Sequence, residues 1–547
     1  MLALADQGVA HAQSCASDCN GSGDVTVDEL VRAVNIALGG SSLDACPVAD
    51  LNGDGSVSVN ELIGAVNAAL GGCAPVSPPP TLTATATSPS GGSPTPTATR
   101  TPPTTPGGAP NALDESFDAD GLAAPKVGLG RTYIAGLVNA PGGGVYFTGD
   151  LTAATQFNGY AARLTAAGAL DASFNAMGVR PVDVWTCSGG GISPLNESMY
   201  EIAVDGNGRV LIAGSTTVNG GTQRFALARF TDTGSLDASF GSNGCATIDA
   251  NPAYPNQYVS SLALQPDGRI LLAGWTWSED WSQAAATVVR LTENGALDEA
   301  FASGGRFQLD GYPGNKTLGG LQTERVGVAL QSDGRIVVAH TVLLPGPSVA
   351  FGLTRLDRDG DLDAGFGDGG SFVRQAVSGR FNFVSDLVVV AGDRIVVGGS
   401  ARNAKNKYDY ALMRTSADGT FDESFGAGGV ALLSLGAVDA DDFLGDLAVD
   451  SEGRIVAAGV RYAISETPSA RLGLARFDAD GNLDAAGFCP AGTAGPGLIA
   501  NVRTLVDAQN HILVSYVDPA LGNPNSEVVG IGVLRYRGGA GTGVCGG

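Results

Sequence analysis

From residue 111 onward the chain is written in short apolar runs separated by polar turns. LALQPDGRILLAG (262–274), VALQSDGRIVVAH (328–340) and LAVDSEGRIVAAG (447–459) each set two such runs around a glycine-containing turn. Runs rich in Val, Ile and Leu on either side of Asp-Gly or Asn-Gly turns predict β-hairpins. GGGVYFTG (142–149) and AQNHILVSY (508–516) are degenerate copies, and the count of hairpins comes to seven. Before residue 74 the period changes. Leu30, Ala33, Val34, Ala37 and Leu38 recur at helical spacing, as do Leu62, Ala65, Val66, Ala69 and Leu70, and both stretches end at Gly-Gly. Two short helices with one apolar stripe each are predicted there. Between the two patterns, 74–110 is mostly Pro, Thr, Ser, Ala and Gly with one charge, Arg100. Such a stretch buries too little to fold and stays extended. The tail at 538–547 is Gly-rich.

The helical region is an internal duplication. DCNGSGDVTVDELVRAVNIALGG (18–40) returns as DLNGDGSVSVNELIGAVNAALGG (50–72). Each copy opens with the spacing of an EF-hand loop, in which oxygens at positions 1, 3, 5, 7, 9 and 12 surround calcium. In copy one these are Asp18, Asn20, Ser22, Asp24, Thr26 and Glu29. In copy two they are Asp50, Asn52, Asp54, Ser56, Ser58 and Glu61. Gly23 and Gly55 fall at position 6, where the loop turns sharply. Two loops with exit helices and no room for entering helices resemble a dockerin over residues 14–73. That resemblance implies calcium as the cofactor and a cohesin-like surface protein as a docking partner.

The large region repeats about every 60 residues. A Leu/Phe-Asp tag followed by Phe begins at Leu113, Leu170, Leu236, Leu297, Leu362, Phe421 and Leu483. One strand per repeat ends in arginine: Arg163, Arg229, Arg290, Arg355, Arg414, Arg476 and Arg535. In six repeats that arginine precedes the tag aspartate by eight residues, giving Arg163/Asp171, Arg229/Asp237, Arg290/Asp298, Arg355/Asp363, Arg414/Asp422 and Arg476/Asp484. A feature present in every repeat is architecture, so these residues are expected to cap or pair a strand connection. Four short strands per repeat cannot bury both faces alone, whereas seven sheets packed around an axis can. The fold class expected is mainly β, a seven-bladed β-propeller over 111–537. The tags resemble the delta-60 repeat family, which implies a propeller and no particular activity. The first strands, near 124–134, either pair into the last blade or begin blade one.

Composition narrows the function. With 55 acidic and 31 basic side chains the net charge is −24, which disfavours nucleic acid and anionic membranes. No apolar run is long enough for a transmembrane segment. His11, His340 and His511 are the full histidine set, too few for histidine-based catalysis or a multi-histidine metal site. The eight cysteines contain no CxxC pair and favour disulfides in an oxidising compartment. Cys187–Cys245 would link neighbouring blades, and Cys489–Cys545 would staple the end of the ring. The four cysteines before residue 74 allow three pairings. The start at 1–13 lacks a basic region, yet Ala10-His11-Ala12 resembles an export-signal cleavage site.

Candidate ligand residues are those unique to one repeat. WTWSEDW places Trp275, Trp277 and Trp281 beside Asp280, aromatic faces next to a carboxylate that suit a glycan or protein ligand. The competing reading packs Trp275 and Trp277 against the next blade. The function expected is an exported, non-catalytic binding or scaffold protein at the cell surface. The alternatives are a docked carbohydrate-active enzyme and a purely structural surface protein.

Overall fold

The computed structural model describes residues 19, 25–37, 41–49, 57, 113–114, 116–119, 122–125, 132–153, 156–187, 197–218, 221–313, 325–345, 348–435, 440–463, 470–484, 491–493, 502–518 and 530–536. The chain divides into two compact units, Met1–Thr99 and Arg100–Gly547.

In the first unit, helix α1 (Val27–Ala37) begins with reciprocal capping. Thr26 N and Thr26 Oγ1 both donate to Glu29 Oε2 at 2.8 Å, satisfying donors that a helix start leaves unpaired. Ala33 and Ile36 are buried against Cys46, Ala49 and Val57. Val34, expected on the buried stripe, is instead exposed, and so is Val31. The buried face is thus rotated toward Ile36. Cys19 and Cys46 form a disulfide with Cα atoms 4.9 Å apart. The second predicted helix and the 74–110 linker lie outside the described residues.

The second unit is a seven-bladed propeller of four-stranded antiparallel sheets. Blades 1 to 6 draw their strands from 132–182, 197–248, 256–313, 327–374, 382–433 and 441–493, each in chain order from inner to outer. Blade 7 takes three strands from 504–536, and its outermost strand is Leu122–Ala123. Leu122 pairs with Leu534 and Ala123 with Val533. The ring is therefore closed by its first strand, and blade 1 starts afresh at Thr132.

The six tag pairs spaced by eight residues are ion pairs. Arg163–Asp171, Arg229–Asp237, Arg290–Asp298, Arg355–Asp363, Arg414–Asp422 and Arg476–Asp484 meet at 2.7–3.1 Å. The seventh arginine, Arg535, pairs at 2.7 Å with Asp114, the first tag. Asp298 and Asp363 differ from the other tag aspartates in their remaining contacts. In Asp171, Asp237 and Asp422, Oδ1 accepts both the N–H and the hydroxyl of a serine two residues on, and each pKa is lowered. After Asp298 and Asp363 that place holds Ala300 and Gly365, which have no hydroxyl to give. Oδ1 there accepts only a backbone N–H, at 3.3 and 3.0 Å. Each carboxylate is instead shared with a second arginine from the hairpin turn, Arg269 at 3.1 Å and Arg335 at 3.4 Å. These two aspartates thus take a second arginine on Oδ2, where Asp171, Asp237 and Asp422 take a serine hydroxyl on Oδ1.

The strand-end arginines also join neighbouring blades. Nη1 of Arg229, Arg290, Arg355 and Arg414 donates to the carbonyls of Glu293, Arg358, Ala417 and Ala479, each in the next blade's turn. Arg535 does the same to Ala166 of blade 1. The tag phenylalanines Phe240, Phe301, Phe366, Phe425 and Phe117 lie under those guanidiniums at 4.6–4.9 Å. The next turn's glycine rests on the same ring. A Cβ at Gly360, already at φ 92°, would stand 2.5 Å from Phe301. The glycine of that turn (Gly168, Gly234, Gly295, Gly360, Gly419 or Gly481) is therefore demanded by the tag ring of the blade before it. Arg163 departs from this pattern, donating to Pro141 O in its own blade.

A second glycine has an equally local cause. The inner strands of blades 2, 3, 5 and 6 carry a bulge that turns a carbonyl toward the facing strand. A Cβ at Gly214, Gly274, Gly399 or Gly459 would meet that carbonyl at 1.8–2.0 Å. In blade 4 the inner strand starts only at Gly327, with no bulge. His340 stands in the glycine's place there, opposite Gly352. Its buried Nε2 lies 3.0 Å from Thr354 Oγ1, and burial pulls its pKa down to about 4. Cys187, ending the one-turn helix α2 (Val184–Cys187), is bonded to Cys245 with Cα atoms 5.8 Å apart. That bond fastens the blade 1–2 connection to the outer strand of blade 2. Cys489 and Cys545 lie outside the described residues. Among the described residues, no helix is long and apolar enough to cross a membrane.

Candidate functional site

Two places in the propeller break the repeat. The first is the face where one blade hands over to the next. In blade 3 the loop after Trp277 turns at Ser278–Gln283. Asp280 Oδ1 accepts from Ser278 Oγ and Ser282 Oγ at 2.7 Å and from Ser282 N at 3.0 Å. These donors hold its carboxyl down at about 2. The turn fixes Trp281 at φ 59°, a backbone region costing a bulky residue roughly 1–2 kcal/mol. Its side chain is 38% exposed. Tyr258 and Trp277 back it, with ring centroids at 6.1 and 5.8 Å. Trp275 is only 6% exposed and belongs to the core between blades 3 and 4. The aromatic set therefore divides into a core residue, a half-buried support and one surface ring. A flat apolar ring held in solvent can stack on a ligand's apolar face. Asp280 is exposed, but Oδ1 is spent on the turn.

The second place is the central channel. The residue after the inner-strand bulge is Glu201 in blade 2, Asp386 in blade 5 and Asp446 in blade 6. Arg325 and Arg503 enter from just before the inner strands of blades 4 and 7. Arg325 Nη2 binds Glu201 Oε1 and, at 2.7 Å, Ser260 O. Arg503 lies 3.7 Å from Glu201 and donates to Ala135 O at 2.5 Å. Five blades are thus tied across the axis. Asp386 accepts Leu447 N at 3.0 Å and Asp446 accepts Thr504 N at 2.7 Å, each from the next blade. Burial raises the pKa of Glu201. Burial, then repulsion from Asp446, raises that of Asp386, and burial raises that of Asp446 as well. None of the five was singled out from the sequence. Aligning the copies at Ile202, Leu262, Val328, Leu387 and Leu447 puts Glu201, Ser261, Gly327, Asp386 and Asp446 in one column, which is the signal that marks them.

In the first unit, Thr26 and Glu29 are the expected calcium-loop residues within the described set, and they meet at 2.8 Å at the start of α1. Asp18, Asn20, Ser22, Asp24, Asp50, Asn52, Asp54, Ser56, Ser58 and Glu61 lie outside that set.

Residues 206–240, 265–301, 331–366, 393–425 and 451–486 match a family described as "domain of unknown function (DUF5122) beta-propeller". The five matched stretches all lie within the propeller. Four of the five repeats end within a residue of the tag phenylalanine, and the fifth ends just past Asp484. No curated protein matches the chain. Among solved structures, a protein of unknown function from Dyadobacter fermentans is similar at 14% identity, with 76% of this chain and 98% of that one covered and a TM-score of 0.38. A polysaccharide lyase is similar at 9% identity, with 75% and 91% covered and a TM-score of 0.42. An ulvan lyase is similar at 13%, with 76% and 96% covered and a TM-score of 0.41. These likenesses are too distant to carry an argument about activity.

Proposed function

We propose that this chain is an exported, non-catalytic binding protein whose propeller presents a saccharide-stacking patch centred on Trp281. The observation that carries this reading is the indole itself, held in solvent at positive φ by a turn whose hydrogen bonds serve no other purpose. The channel carboxylates support a non-catalytic role, because they are engaged by arginines, by backbone N–H groups and by each other. The Cys19–Cys46 and Cys187–Cys245 disulfides are compatible with export. Trp281→Ala is expected to weaken binding of a neutral oligosaccharide such as cellotetraose by about tenfold in titration calorimetry, the loss of one stacked ring. Equal binding by wild type and variant would sink the patch.

The proposal includes calcium. Asp18, Asn20, Ser22, Asp24, Thr26 and Glu29 would hold one ion and their duplicates a second, attaching the protein to a cohesin-like or other surface partner. Calcium binding only the folded unit stabilises it by mass action. Calorimetry on the full chain is expected to show two ions bound, and Glu29→Gln about one. A chain that binds none refutes this part.

A further inference from the structure

Positive charge is scarce on this chain, yet it gathers at one rim. Two of the four lysines, Lys405 and Lys407, share the loop after the second strand of blade 5, Arg394–Arg402. Arg380 flanks them. Lys407 is neutralised by Asp441 at 3.1 Å. Arg380 donates to Asn406 Oδ1 at 3.1 Å, a neutral partner. Among the described residues, no carboxylate pairs with Arg380, Arg402 or Lys405.

Arg402 is the unusual member. Its backbone N–H donates to Phe381 O at 2.8 Å, and Tyr408 is its cross-strand partner. The guanidinium carbon lies 5.2 Å from the Phe381 ring and 5.1 Å from the Tyr408 ring. Nε is buried without a hydrogen-bond partner. Stacking on two rings fixes the guanidinium plane, the geometry that receives a carboxylate or sulfate in two parallel bonds. The half-buried Phe381 ring beside it, itself stacked on Phe383 at 6.0 Å, offers an apolar face to the ring bearing that anion.

We propose that the rim of blade 5 is a binding site for an acidic saccharide. Arg402, Arg380 and Lys405 receive its carboxylate or sulfate, and Phe381 carries the sugar ring. The net charge of −24 repels anions from most of the surface, and this rim sets three cations, without a carboxylate partner among the described residues, beside Asp409 and Asp441. A peptide C-terminus has the charge but lacks a ring for Phe381. The site shares no residue with the Trp281 patch and stands whether or not that patch binds sugar.

The test is titration of the full chain at low salt with tetragalacturonate for the carboxylate and a sulfated carrageenan tetrasaccharide for the sulfate. Cellotetraose and a peptide with a free C-terminal carboxylate serve as controls. At least one acidic saccharide is expected to bind, more weakly as salt is added. Arg402→Gln should weaken it about tenfold, as expected for one charge-assisted contact. The exposed double variant Arg380→Gln/Lys405→Gln, which touches no core, should weaken it about threefold with an unchanged melting temperature. Cellotetraose binding should ignore all three substitutions. Absence of acidic-saccharide binding, equal binding by the double variant, or tighter binding of the peptide would each overturn the proposal.

Discussion

The outer and inner edges of this ring obey different rules. Around the tags, the same arginine, aspartate and phenylalanine recur blade after blade and reach into the next turn. Around the axis, the equivalent position holds Glu201, Ser261, Gly327, Asp386, Asp446 or Arg503, changing from blade to blade. The outer edge must be identical because each blade presents the same seam to its neighbour. The inner edge is where several blades meet at once, and there each residue answers to its own partner across the axis, as Glu201 does to Arg325.

The sharpest test of that contrast removes one staple. Arg414 is 1% exposed and holds Asp422, Ala479 O and the Phe425 ring at once. Arg414→Ala should cost about 3–5 kcal/mol in denaturant unfolding, because the aspartate and carbonyl lose their partner in a desolvated site. Arg163, 19% exposed and turned back on its own blade, should cost about 1 kcal/mol as Arg163→Ala. Equal losses at the two positions would mean that the cross-blade reach contributes nothing.

The bulge glycines come next. Gly274→Ala sets a methyl against Tyr258 O and should cost about 2–3 kcal/mol. His340, in the same repeat position of the unbulged blade 4, should accept Gln with a smaller loss at pH 7. That histidine also provides the most selective effect, with pH. Its folded pKa of about 4 lies below the ordinary 6.5, so the folded state binds fewer protons than the unfolded one. Its contribution is intact above about pH 6.5 and drains away as pH falls toward 4, by up to about 3 kcal/mol. Asp442 runs the other way. Burial raises its pKa to about 6, so its contribution is lost as pH rises from about 4 through 6. His340→Gln should flatten the acid limb of a stability–pH curve and leave the loss through Asp442's range, as pH rises, unchanged.

The hairpin period and the eight-residue Arg–Asp spacing are written locally, so seven blades and six of the seven staples were legible in the sequence. The seventh was not, because Arg535 and Asp114 sit at opposite ends of the propeller and only closure brings them together. The spacing also made Asp298 and Asp363 look like the other tag aspartates. Their missing serine was visible two residues on, but the second arginine that takes its place comes from a turn about thirty residues earlier in the chain. The bulge that explains the repeat glycines leaves no compositional mark. Glu201, Arg325 and Arg503 were hidden because their contact depends on the curvature of the whole ring. The blade 5 rim was masked by the overall acidity, which describes a sum and conceals where the sign reverses. Trp281 was visible as an aromatic outlier, but its division from Trp275 needed the packing between blades 3 and 4.

The late meeting of Arg535 with Asp114 has a consequence for biosynthesis. A ribosome releases Leu113, Asp114 and Phe117 more than four hundred residues before their partners exist. Until Arg535 emerges, the growing propeller is an open arc with an unpaired edge at each end, free to find the complementary edge of a second nascent chain. Closure over so long a loop adds little to the entropy, since that cost grows only with the logarithm of length. The hazard is one of timing, and a chain truncated anywhere in blade 7 would carry it permanently.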